Sequence, residues 1–86
     1  MDVGQVKARI AAGARDAEIA IGLLAKVKDT IDDARGGAQH TTHDSRHPKV
    51  TGGLGKLGQA KQDIERIVNL LHTSTRSAET YVRRIG

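Results

Sequence analysis

Apolar residues recur at alternating spacings of three and four along nearly the whole chain, in two stretches separated by one polar segment. In the first stretch Val3, Val6, Ile10, Gly13, Ala17, Ala20, Leu24, Val27, Ile31 and Ala34 follow this rule. A seven-residue repeat of this kind places one narrow apolar seam on an α-helix and leaves the remaining surface to polar side chains. Ala14 and Ile21 widen the seam on one flank and Leu23 on the other, while Lys7, Arg15, Glu18, Lys26, Asp29 and Asp33 fall off it. Gly36-Gly37 reads as a helix stop, with Arg35 in the last turn, where the helix dipole favours a cation.

The second stretch repeats the design. Val50, Leu54, Leu57, Lys61, Ile64, Val68, Leu71, Thr75, Ala78, Val82 and Ile85 alternate by three and four, with Ala60, Ile67, Ser74 and Tyr81 as an adjoining row. Thr73-Ser74-Thr75 is the weak point of this seam, where a bend or fraying is expected. Between the stretches, residues 36–49 are polar and rich in turn-forming residues, and Pro48 suits the first turn of a helix capped by Ser45 or His47. The expected domain is therefore a single all-α antiparallel hairpin, with one helix over about 3–36, a loop over about 37–48 and a second helix over about 49–84. Helices of that length run to about 50 Å at ~1.5 Å per residue.

Folding the chain about the loop brings small residues opposite large ones. Ala8, Ala11, Ala12, Gly13, Ala14 and Ala17 would face Ile67, Val68, Leu70, Leu71, Tyr81, Val82 and Ile85. Gly52, Gly53, Gly55, Gly58 and Ala60 would face Leu23, Leu24, Val27 and Ile31. Such alternation lets facing layers interdigitate.

Composition limits how far this fold can stand alone. The chain has one Tyr, no Phe and no Trp, so the side chains that bury the most area each are nearly missing. Below about 70–80 residues a single core rarely supplies more than about 3–5 kcal/mol; this chain is slightly longer but elongated, and each Gly inside a helix costs about 1 kcal/mol relative to Ala. The second apolar rows, Ile21 with Leu23 and Ile67 with Leu70, remain partly uncovered in a bare hairpin. Association with another helical protein or with a second copy, as a homo- or heterodimeric four-helix bundle, is the expected remedy. The residues expected to carry it are those of the seams and rows, Val6, Ile10, Ile21, Leu23, Leu24, Val27 and Ile31 in the first helix, and Leu54, Leu57, Ile64, Ile67, Val68, Leu71, Tyr81 and Val82 in the second.

Other chemistries find less support. Gly53-Leu54-Gly55-Lys56-Leu57-Gly58 spells G-x-G-x-x-G, but no strand precedes it, so no nucleotide cofactor is expected and close helix approach is the simpler reading. His40, His43 and His47 form H-x2-H-x3-H in the loop and are the candidate metal ligands, set against a solvated connector. No Ser, His and acid are spaced for nucleophilic catalysis, and Asp16, Glu18, Asp63 and Glu65 are placed as exposed helix charges, so no enzyme is expected. The absence of Cys excludes disulfides and thiolate metal sites. The net charge of +4 admits contact with nucleic acid. However, Lys49, Lys56, Lys61, Arg66, Arg76, Arg83 and Arg84 are scattered and diluted by Asp63, Glu65 and Glu79. A small basic nucleic-acid-associated protein and a metal-responsive histidine loop stand as alternative readings.

No run of about 18 apolar residues is present, so no membrane span is expected. Met1-Asp2-Val3-Gly4-Gln5 lacks the basic and apolar regions of a signal peptide. The expectation is a cytoplasmic protein, or one exported without such a peptide.

Helix–turn–helix layout, absence of Cys, the opening Val3-x-x-Val6-Lys7 and a second helix from His47-Pro48-x-Val50 to Tyr81 together give a resemblance. The chain resembles the small helical hairpins of the ESX (WXG-type) secretion systems and the N-terminal helical segment of actinobacterial polymorphic toxins. The resemblance implies a non-catalytic hairpin serving as partner or adaptor in a toxin or specialised secretion system. The loop carries Gly36-Gly37 and three histidines in place of Trp-x-Gly, and no acid stands four residues after Tyr81.

Overall fold

The computed structural model describes residues 2–41 and 47–86, apart from the side chain of Thr41. It consists of two helices, α1 (Val3–Thr41) and α2 (Pro48–Arg84), folded back on each other as a rod of 63 × 16 × 15 Å. No strand occurs among the described residues.

Each helix start is fixed by local chemistry. Asp2 caps α1: its Oδ1 accepts from the Gln5 N–H at 2.7 Å, and Gln5 Oε1 accepts from the Asp2 N–H at 3.2 Å. This reciprocal pair satisfies two of the amides that a helix leaves without partners. His47 caps α2 from an extended conformation (φ −63°, ψ 130°), with its Nδ1 accepting from the Lys49 N–H at 3.1 Å and Pro48 in the first turn. Ser45, the other expected cap, lies outside the described residues. At the far end, the Ile85 N–H donates to the Tyr81 carbonyl at 3.1 Å.

α1 does not stop at Gly36-Gly37; it runs on to Thr41. The glycines are unfavourable in a helix by about 1 kcal/mol each, but the added turn brings Ala38 to the groove formed with Val50, Leu54 and Leu57. Packing at the start of α2 thus offsets the poor propensity. α2 likewise passes through Thr73-Ser74-Thr75 as continuous helix.

The register follows from four cross-helix neighbours. Lys28 pairs with Glu65 at 3.2 Å and Asp32 with Lys61 at 2.9 Å. A Cβ placed on Gly58 would lie 3.6 Å from Arg35 Nη2, and one on Gly86 would lie 3.3 Å from Lys7 Nζ. In every pair the two residue numbers add to 93, so the helices are antiparallel and residue i of α1 is level with residue 93 − i of α2.

This register corrects part of the expected small-to-large pairing. Gly52, Gly53 and Gly55 lie level with the last turns of α1 rather than with Leu24 and Ile31, and a Cβ on any of the three would meet nothing within 4 Å. Only Gly58 of that group makes a close approach, beneath the Arg35 guanidinium. The G-x-G-x-x-G segment is ordinary helix inside α2.

Candidate interaction surface

Burial shows which residues hold the two helices together. In α2 the row that the spacing predicts, Val50, Leu54, Leu57, Lys61, Ile64, Val68, Leu71, Thr75, Ala78, Val82 and Ile85, is shielded throughout, as are Gly58, Ala60, Asp63 and Thr80. In α1 they include Lys7, Ile10, Ala14, Ala17, Ile21, Leu24, Lys28, Ile31, Arg35 and Ala38. One of the two expected α1 rows is therefore kept only in part. Val6 and Ala20 are half-buried, but Gly13, Val27 and Ala34 are exposed, and Ala14, Ile21, Lys28 and Arg35 are shielded beside them.

The change has a physical cause at the loop-proximal end. Lys28 and Arg35 lay their aliphatic stems along the seam and send their charged ends to its edge. There Lys28 meets Glu65 and Arg35 lies over Gly58, while the neighbouring Asp32 reaches Lys61, itself a seam residue of α2. The hydrogen bond from Lys61 holds the Asp32 carboxyl below the ordinary carboxylate range, helped by the nearby charges of Lys61, Lys28 and Arg35. Arg35 Nε is buried with no hydrogen-bond partner among the described residues.

The apolar core is thin. Ile64, 9% exposed, is the one buried residue among those described. Val6, Ile10, Ile21, Leu24, Ile31, Leu54, Leu57, Val68, Leu71 and Val82 are half-buried in the seam. Leu23, Val27, Ile67 and Tyr81, also singled out from the sequence, are exposed, as is Leu70. Leu70 is 60% exposed and Leu23 57%.

These exposed residues share one face. Leu23, Val27, Ile67, Leu70 and Tyr81 each stand immediately before a seam residue (Leu24, Lys28, Val68, Leu71 and Val82). One residue along a helix is a turn of about 100°, so all five lie on the same flank of their own helix. In an antiparallel pair, flanks of like sense fall on the same side of the hairpin. The register makes Leu23 level with Leu70, and Val27 and Ile67 lie within about one turn of them. The result is a continuous apolar patch near the middle of the rod, with Tyr81 farther towards the open end.

The opposite side is of different character. Asp32 and Glu65, the acids of the two cross-helix ion pairs among the described residues, each stand immediately after a seam residue. That flank also carries Arg15, Glu18, Asp29, Arg76, Glu79 and Arg83, with Ile19 as the large apolar residue beside them. Ile19, 63% exposed, lines an open groove with Arg15, Glu18, Thr75 and Glu79, and Val3 lies at the open end beside Gly86. The depressions along the seam are open grooves, such as the one lined by Ile21, Lys28, Ile64 and Val68.

The metal-ligand candidates are only partly described. His40 lies in the last turn of α1 and His47 caps α2, while His43 lies outside the described residues. His47 Nδ1 is engaged by the Lys49 amide, so that nitrogen serves the helix cap. No helix among the described residues is long and apolar enough to cross a membrane. Comparison with protein-family models, curated proteins and solved structures finds no match to the chain.

The two-sidedness of the hairpin was within reach of the sequence. Before the α2 seam residues Lys61, Val68, Leu71, Thr75 and Val82 stand Ala60, Ile67, Leu70, Ser74 and Tyr81, small or apolar, with charges (Lys49, Lys56, Asp63 and Arg84) before other seam positions, whereas no large apolar residue follows any α2 seam position. The reciprocal Asp2–Gln5 cap was equally visible as an acid followed three residues later by Gln.

Proposed function

We propose that this chain is a non-catalytic helical interaction module, which completes a four-helix bundle by packing its apolar face against another pair of helices. The observation that carries the reading is the gathering of Leu23, Val27, Ile67, Leu70 and Tyr81 on one side of a hairpin whose own core shields so little. Exposed apolar surface concentrated on one face and bounded by polar residues is the signature of a protein-binding surface. Charged flanks on the other side keep the rod in water and leave that face as the one to be covered. The architectural resemblance to ESX-type hairpins and toxin N-terminal segments suggests the setting, as partner or assembly module in a toxin or specialised secretion system.

The test compares the unsubstituted chain with Leu23→Asp/Leu70→Asp, by mass measurement in light scattering and by affinity capture under identical conditions. A helical partner, of the same or another kind, is held by the unsubstituted chain and lost by the variant. A single-chain mass together with equal recovery of all proteins by both chains would overturn the proposal.

A further inference from the structure

Resting on that reading, we infer that the occupant of the apolar face is a second copy of this chain, laid face to face with the rods antiparallel and the loops at opposite ends. Three features of the face lead there. First, its size is right. A rod 63 Å long and 16 Å wide presents about 1,000 Å² per side, comparable to the ~800 Å² per partner of a stable interface.

Second, the patch lies near the middle of the rod. Leu23 is close to the midpoint of α1 (Val3–Thr41) and Leu70 is level with it. A two-fold axis running across the rod between Leu23 and Val27 therefore returns the patch onto itself with the helices overlapped along most of their length. Symmetric dimers require such a self-complementary surface. A patch at one end would leave half of each rod unpaired.

Third, the side chains match under that axis. The face of α1 reads Gly13, Asp16, Ala20, Leu23, Val27, Thr30, Ala34, Gly37. Rotation places Leu23 on Val27 of the second copy, Ala20 on Thr30, Asp16 on Ala34 and Gly13 on Gly37. The face of α2 reads Gly53, Lys56, Ala60, Asp63, Ile67, Leu70, Ser74, Ser77, Tyr81, Arg84. Here Ile67 meets Leu70, Asp63 meets Ser74, Ala60 meets Ser77 and Arg84 meets Gly53. Lys56 comes beside the ring of Tyr81, an arrangement in which cation and aromatic face attract. Among these residues no two like charges are set on each other. The alternative with parallel rods stacks α1 on α2 of the second copy at equal level, which sets Arg9 on Arg84.

The chain contains no Cys, so one introduced thiol gives one label. Gln39→Cys, on the charged flank near the loop, carries a nitroxide away from the interface. Light scattering of the full chain at micromolar concentration is expected to give twice the 9.2 kDa chain mass. Pulsed electron–electron distance measurement is expected to give about 45 Å between the labels, from ~42 Å of axial offset at 1.5 Å per residue and the width of two packed helix layers. Leu23→Asp/Leu70→Asp reduces the mass to that of one chain, and Gln62→Glu, on the charged flank, leaves it doubled.

Should the double variant unfold, the unsubstituted chain still decides: a dimer melts at a temperature that rises with chain concentration, and a monomer does not. A single-chain mass with a concentration-independent midpoint overturns the second copy as occupant. It leaves the broader reading to be judged by the capture experiment, where a partner of another kind would be found. A label distance under about 30 Å, expected when loops lie side by side at packed-helix spacings, overturns the antiparallel arrangement. A dimer that survives Leu23→Asp/Leu70→Asp overturns the face.

Discussion

Ile64→Ala tests the energetics of the hairpin most directly. Ile64 is 9% exposed and sits where the seams of both helices converge, beside Ile21 and Val68. Burying an Ile side chain contributes about 1.5–3 kcal/mol, and truncating it to Ala in a core costs about 2–5 kcal/mol once the cavity is included. The groove beside Ile64 is open, so water and neighbouring side chains can occupy part of the space. That places the expected cost near the lower end, at about 2–3 kcal/mol. At ~4–8 °C per kcal/mol for a domain of this size, the thermal midpoint falls by roughly 10–20 °C. Ile64→Val removes one methyl group and lowers stability by about 1 kcal/mol.

The control is Leu70→Ala. It deletes a side chain of similar size that is 60% exposed in the single hairpin. Both variants are followed by circular dichroism during thermal and urea unfolding, at the lowest concentration giving a usable signal, so that association contributes least. Leu70→Ala is then expected to cost under about 1 kcal/mol, in proportion to the smaller area it buries. If Ile64→Ala costs no more than Leu70→Ala under these conditions, the assignment of Ile64 to the centre of the seam is wrong.

Three further outcomes follow from the packing. Ile21→Ala, at a half-buried position in the same open groove, destabilises the isolated hairpin by about 1–2 kcal/mol, whereas Val27→Ala, whose side chain lies on the open face, costs well under 1 kcal/mol by the same unfolding assay. Gly53→Ala and Gly55→Ala each raise stability by up to about 1 kcal/mol, since a Cβ at either position meets nothing within 4 Å. For Asp32 the sign is set by Lys61, which lowers its pKa in the folded chain. The stabilisation is present above the ordinary carboxyl value of 3.8 and is lost as pH falls through the lowered folded value. A plot of thermal midpoint against pH therefore drops less at the acid end for Asp32→Asn than for the unsubstituted chain.

Much of this was legible in the order of residues. The α2 seam from Val50 to Ile85 can be read directly, because its apolar positions keep strict spacing and only Lys61 and Thr75 interrupt them. The N-terminal end of α2 was signalled by His47-Pro48. The end of α1 was not, because Gly36-Gly37 speaks only for local preference. What carries the helix onward is the cover that Ala38 gives to Val50, Leu54 and Leu57, a contact between residues far apart in sequence. The placement of the histidine loop relative to either helix end was open for the same reason, and His43 lies outside the described residues.

The misread row in α1 and the candidate surface have one origin. The apolar arc of α1 is wider than a two-helix seam can cover: Ile10, Ala17, Leu24 and Ile31 form its centre, with Ala14 and Ile21 on one side and Ala20, Val27 and Leu23 on the other. Spacing alone cannot choose between the sides, since either gives a valid alternation of three and four. Charge accords with one of them. Turning α1 towards Ile21 brings Lys28 to Glu65 and Asp32 to Lys61 across the seam, whereas turning it towards Val27 would carry those groups away from their counterparts. Exposed ion pairs contribute only about 0–1 kcal/mol each, and both of these form with α1 turned as it is. The side not chosen, Val27 with Leu23, is then left facing outward, level with the equally unclaimed Ile67 and Leu70 of α2. The closure that pairs these charges is thus also the one that leaves these apolar residues for another protein to cover.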